Sequence, residues 1–331
     1  MRIRILPYVL AAAGSFLLSL ALVRNWESSR FSADIRSELF LKEFAFSEAS
    51  SEKGSRKTFL KDGKSIAEYR FKNFNSDLIQ IEFSKPSGEL EEYWKGYGYS
   101  QSDLDNLKEW QKKAFNEAYQ NALNRSPSKE DIDRIRAGIK DQYSQKLRHL
   151  MMSRGFKYQR EGVLVPDIPG IAGRNVDNLN PIAIDIDKFA KSNNYDALEI
   201  VGAALSLMQT GLAYERIPMK MQDKTIGGIY PPLVAILEGR GDCDTKTALM
   251  ASILLNWDTA KLIGVGMPNH YLIGVLRTPA KGDAYVEYDG LSYVLMEPSG
   301  PGWLPPGTVS QYTLEVLNAG NQIALDPMRK N

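Results

Sequence analysis

A chain of 331 residues, 43% hydrophobic and 24% charged, has the composition of an ordinary globular protein with room for one large domain or two modest ones. Lys plus Arg (41) almost cancels Asp plus Glu (40), so the basic surplus of a nucleic-acid binder is missing and no nucleic-acid partner is expected. The single cysteine, Cys243, excludes an internal disulfide, and with only two histidines, His149 and His270, no Cys/His cluster is available to a metal. Neither a metal nor another cofactor is expected.

From Ile5 to Val23 nineteen residues pass without a charge. At about 1.5 Å per residue they match a hydrocarbon core roughly 30 Å thick. Arg2 and Arg4 precede the run, and Arg24 is soon offset by Glu27, so the positive-inside rule keeps the N-terminus cytoplasmic and exports the rest. A cleaved signal peptide needs small residues at alternate positions before the cut, and Leu20-Ala21-Leu22-Val23-Arg24 does not supply them. Residues 1–26 therefore read as a single membrane anchor, with the remainder extracytoplasmic, and periplasmic in a Gram-negative cell.

Residues 27–155 read as a mixed strand and helical-hairpin region that offers a surface to an envelope protein partner. The stretch from Ser47 to Ser55 has loop composition. Ser65–Phe71 and Leu78–Phe83 alternate apolar and polar residues as half-buried strands do, with a turn at Asn73–Ser76 between them. Ser102 with Asp105, and Ser128 with Asp131, are capping patterns that open two helices. The first carries Leu104, Leu107, Trp110, Ala114 and Ala118 at helical spacing; the second carries Ile132, Ile135, Ile139, Tyr143 and Leu147. Arg125-Ser126-Pro127 separates them, which predicts an antiparallel pair. His149, on the second helix, has no partner of catalytic type nearby and reads as a surface residue. Residues 156–180 read as loop.

Chemistry concentrates after residue 195. Ala197–Tyr214 reads as an apolar helix. Gly239-Arg240-Gly241 then permits a tight turn, and Asp242 or Cys243 opens a second apolar helix. A thiol at a helix N-terminus lies in the positive end of the dipole, which predicts a thiolate forming below the usual value of about 8.5. The free backbone N–H groups there suit an oxyanion. Lys261–Met267 and Asn269–Leu276 read as successive strands, the second starting at His270, and Tyr293–Glu297 as a third that ends in a carboxylate. A single hairpin turning near Asp283 would set His270 opposite Glu297, so that the acid orients the imidazole. Asp289-Gly290 is a competing turn signal, read here as a bulge, with Asp289 as the reserve acid.

The runs Gly239-Arg240-Gly241-Asp242-Cys243-Asp244, Asn269-His270-Tyr271-Leu272-Ile273-Gly274-Val275 and Tyr293-Val294-Leu295-Met296-Glu297-Pro298-Ser299 resemble the transglutaminase-like superfamily of papain-related enzymes, over roughly residues 195–303. The family usually has Asp before Pro-Thr or Pro-Ser; Glu297 keeps the charge and adds a methylene. The resemblance implies an α+β fold with a papain/transglutaminase-like core, a nucleophile helix packed on an antiparallel sheet, in residues 156–331. It also implies acyl transfer on amide bonds of a peptide or protein substrate. Cys243 is the nucleophile, His270 the base, Glu297 the orienting acid, and Gln209 the candidate second oxyanion donor. The alternative is a membrane-anchored scaffold that keeps the fold without catalysis.

Overall fold

The computed structural model describes residues 48–159, 162–300, 302–320 and 323–330, and the expected anchor, 1–26, lies outside them. Among the described residues no helix is long and apolar enough to cross a membrane. The fold is mixed α and β, with sheets that are mostly antiparallel, as expected for the α+β class.

Strands β1 (Glu48–Ser50), β2 (Gly54–Lys61), β3 (Lys64–Lys72) and β4 (Leu78–Pro86) form one antiparallel sheet in that order. The alternation of β3 and β4 buries Ala67, Tyr69, Phe71, Ile79, Ile81 and Phe83 on a single face. The loop expected around residues 47–55 is instead a hairpin. Ser51 donates its N–H to Gly54 O at 2.7 Å, and the flanking residues pair as strands. Turn residues with too few apolar neighbours concealed both strands.

Helix α1 (Ser87–Lys95) leads to the long helices α2 (Gln101–Leu123) and α3 (Lys129–Ser153), which pack against each other. The Ser128–Asp131 capping box opens α3 as expected. The box on α2 is Ser100–Asp103, two residues before the predicted one. Two tertiary contacts select it. Ser100 is extended because it pairs with Lys224, and Asp103 binds Arg154 at 2.9 Å.

About half of the stretch 156–180, read as loop, is helical. A short Phe156–Tyr158/Leu164–Pro166 hairpin gives way to α4 (Ile168–Arg174) and α5 (Val176–Asn193). Pro169 stands in the first turn of α4, where a missing N–H costs nothing, and Asp167 caps that turn through Gly170 N. Pro181 lies inside α5, which continues because Val176, Leu179, Ile182, Ala183, Ile186 and Ala190 bury one face. Helix α6 (Ala197–Ser206) then widens into a π-helical turn, Leu207–Gly211, so the helix expected to reach Tyr214 ends early. Helices α7 (Pro232–Glu238) and α8 (Cys243–Leu254) follow, joined through Gly239 in the left-handed region (φ 68°).

Strands β5 (Leu262–Met267), β6 (His270–Leu276), β7 (Tyr285–Tyr288) and β8 (Leu291–Met296), helix α9 (Gln311–Asn318) and strand β9 (Ala324–Met328) complete the chain. The five strands form an antiparallel sheet in the order β7-β8-β6-β5-β9. Helix α8 is buried from Thr245 to Leu254 and packs on α4, α5, α6, α7 and β6. Ile263, Val265, Leu272 and Leu295 of the sheet form one cluster with Val309, from the loop before α9, and Val316 of α9.

Packing crosses the expected boundary at residue 155. Tyr69 donates its hydroxyl to Ile236 O at 2.5 Å, and Asn73 Nδ2 donates to Glu199 O at 3.1 Å. The first sheet is thus fastened to helices of the second half, and the described residues belong to one compact unit.

One cation links the pieces around α8. Lys246 is 1% exposed and donates from Nζ to Met208 O (2.9 Å), Leu212 O (2.9 Å) and Ser299 O (3.1 Å). Its three N–H groups meet three carbonyls from the π turn and from the loop after Glu297. Lys246→Met would leave those buried carbonyls without a donor, at about 1–3 kcal/mol each, partly offset by removing a buried charge. Denaturant unfolding is expected to show a loss of several kcal/mol. A midpoint equal to that of the parent would mean the cation does not hold these segments together.

Candidate active site

Asp242 caps α8 by accepting Thr245 N–H at 3.0 Å, which places Cys243 at the first helical position, as the sequence predicted. Burial nevertheless opposes the thiolate. Cys243 is pushed up to about 12, first by desolvation and then by the charges of Asp244 and Asp242. Its Sγ–H donates to Asp244 Oδ1 at 3.4 Å. Only a backbone N–H, from Tyr271, favours the thiolate form. The expected low thiol value is therefore corrected: burial and the two carboxylates that flank the sulfur raise it. Asp244 is itself pushed up to about 6 by burial and by Asp242.

The base and acid are brought together by a route the sequence did not indicate. Asp289 (φ 53°) and Gly290 (φ 74°) form the two-residue turn of the β7–β8 hairpin, where Tyr288 faces Leu291. The predicted bulge is absent at this point. The chain leaves β6, crosses to the outer position as β7, and returns as β8 between β7 and β6. Since β8 is still antiparallel to β6, its end returns to the start of β6. Asp289 is exposed at the distal tip, so the reserve acid lies at the wrong end of the sheet.

The register pairs Ile273 with Met296, so one step further Glu297 faces Leu272. His270 lies two residues along β6 on the same face, which makes it a diagonal neighbour of Glu297. A diagonal contact needs a longer side chain than a directly opposed one. Glutamate spans the gap: Oε1 lies 3.4 Å from His270 Nε2. Glu297 is 6% exposed. Burial favours its neutral form, but hydrogen bonds from His270, Thr313 and Ser310 outweigh it and hold the carboxyl below its usual range. The His270 ring stacks edge-on to Tyr312 of α9, whose hydroxyl donates to Pro268 O.

Gln209 sits in the π turn with its amide committed. Nε2 donates to Glu297 O (2.8 Å) and Leu304 O (3.1 Å), and Oε1 accepts Leu304 N–H (2.9 Å). Both N–H groups are thus occupied by backbone, which leaves none for an oxyanion, and Gln209 instead braces the chain on either side of Pro298. His149 is exposed on α3. Among the described residues no cluster of His, Cys, Asp and Glu could hold a metal ion.

Sequence reasoning missed Lys246, Tyr312 and Thr313. Lys246 left a signal: it is the one charge between Thr245 and Leu255 in an otherwise apolar helix, and such a charge must find partners inside. Tyr312 and Thr313 left none, since their roles depend on where α9 lands.

Asp244→Asn removes one of the two negative charges beside the thiol and leaves only a neutral amide oxygen as acceptor of its proton. Alkylation of Cys243 is expected to become faster at pH 7–8, with its midpoint shifted downward. An unchanged profile would mean that burial alone controls the sulfur. Comparison of the chain with protein-family models, with curated proteins and with solved structures gives no match.

Proposed function

We propose that this chain is a cysteine acyl-transfer enzyme of the transglutaminase-like kind, acting on amide bonds of peptides or proteins. The observation that carries the reading is the His270–Glu297 pair, 3.4 Å apart at the start of β6, beside the strand that receives the nucleophile helix α8. Cys243 stands on the first turn of that helix, and Tyr271, next to His270, directs its N–H at the sulfur.

In this reading the thiol keeps its proton at rest. Attack on the carbonyl carbon forms the S–C bond as the sulfur's proton passes to His270, whose imidazolium the Glu297 carboxylate then stabilises. His270 returns the proton to the leaving amine as the C–N bond breaks. Water or a second amine then takes the acyl group, and the thiol is restored. The backbone N–H of Cys243 is the first oxyanion donor in this scheme.

The site belongs outside the cytoplasm in this proposal, tethered through residues 1–26, on the strength of Arg2 and Arg4 before the apolar run. The helical hairpin of α2 and α3 is the surface we assign to an envelope partner, because α2 buries none of its residues and α3 buries only Met151. A second reading, a scaffold without catalysis, draws on the Cys243–Asp244 hydrogen bond, which holds the sulfur in its unreactive form.

Two substitutions separate the two readings, with Cys243→Ala, which removes the single thiol, as the control. Cys243→Ala is expected to abolish reaction with an activity-based thiol probe, and His270→Ala and Glu297→Gln to lower it by about 10²-fold or more, with melting curves unchanged. Glu297→Asp should also be impaired, because the diagonal contact exceeds the shorter reach. Asp289→Asn should react as the parent does. Probe reaction that survives both His270→Ala and Glu297→Gln would favour the scaffold. A reporter active only outside the cytoplasm, fused after Asn331, should work; an inactive reporter would reverse the orientation.

A further inference from the structure

His270 is not the only donor to Glu297. Oε1 accepts hydrogen bonds from the Ser310 hydroxyl at 2.8 Å and from the Thr313 hydroxyl. Ser310 is the N-cap of α9, and its Oγ also takes Thr313 N–H at 3.3 Å. That capping role accounts for a hydroxyl at Ser310. It does not account for one at Thr313, which is fully buried at the third helical position. An apolar side chain of the same shape would suit so buried a position. A hydroxyl buried there needs a partner: it donates to the carboxylate oxygen that also faces His270, and Ser310 Oγ lies 3.2 Å from its oxygen.

We propose that Thr313, assisted by Ser310, is a positioning residue that fixes the Glu297 carboxylate against His270. This rests on the reading of His270 as the base and Glu297 as its orienting acid. The two hydroxyls fix which oxygen faces the imidazole, and they favour the ionised form against burial. Helix α9 thereby becomes part of the site without touching a substrate. The other titratable groups close to the pair are Asp244 of α8, which acts electrostatically on His270, and Tyr312 of α9, whose ring lies against the imidazole.

The chain has only two histidines, so the full-length protein with ring-labelled histidine yields two sets of resonances, and His149→Gln identifies the one from His270. Protonation of Glu297 appears as a low-pH inflection in the His270 signals. Thr313→Val is expected to move that inflection upward by about one pH unit or more, and Thr313→Ser to restore it. The acidic limb of Cys243 probe labelling should shift in the same direction. Ser310→Ala should shift it too, with some loss of melting temperature because the cap is removed. A folded Thr313→Val protein with an unmoved inflection overturns the proposal, as does a Thr313→Ser protein that behaves like Thr313→Val. If the inflection moves as expected while Glu297→Gln still labels at the parental rate, the positioning role stands and the catalytic reading fails.

Discussion

Burying an ammonium group inside a protein costs several kcal/mol unless every N–H finds an acceptor. Lys246 meets that condition with three carbonyls that belong to separate parts of the chain. Met208 and Leu212 bound the π turn, and Ser299 follows Glu297 and Pro298. Burial and the charge of Arg56 pull this lysine down to about 7, against the three carbonyls that accept from it. The π turn, the nucleophile helix and the acid-bearing loop are held at one point. Gln209 repeats the arrangement with a neutral group, bonding the backbone at Glu297 and Leu304.

Around this clamp the charges are divided unequally. Asp242 and Asp244 flank Cys243 and oppose its ionisation, whereas the Glu297 carboxylate lies 3.4 Å from His270 Nε2. At rest the Cys243 thiol keeps its proton. Asp244, already raised to about 6, is the group whose charge has the most direct influence on that balance.

The sheet explains why the acid is glutamate. In an antiparallel ladder, directly opposed residues are close and diagonal ones several ångströms further apart. Insertion of β8 between β7 and β6 sets Glu297 opposite Leu272, so His270 is reached across the diagonal. An additional methylene makes up the difference. Helix α9 then closes over both residues from the same face, with Tyr312 against the imidazole and the hydroxyls of Ser310 and Thr313 on the carboxylate.

Local patterns by themselves determined a good deal. The alternation in β3 and β4, the Ser128–Asp131 cap and the Gly-Asp-Cys start of α8 each depend on residues within a few positions, and each is where the sequence placed it. The identity of Cys243, His270 and Glu297 as the candidate constellation was legible for the same reason. Features set by distant partners were not. The choice of Ser100 over Ser102 depends on Arg154 and Lys224; the path of the β7–β8 hairpin depends on which strand edge was free; the state of the Cys243 thiol depends on burial. Helices α4 and α5 were concealed by prolines that tertiary packing tolerates. A periodic pattern records what a residue prefers among its neighbours in sequence. Desolvation, ion-pair choice and strand order arise from neighbours in space, and only the folded chain brings those together.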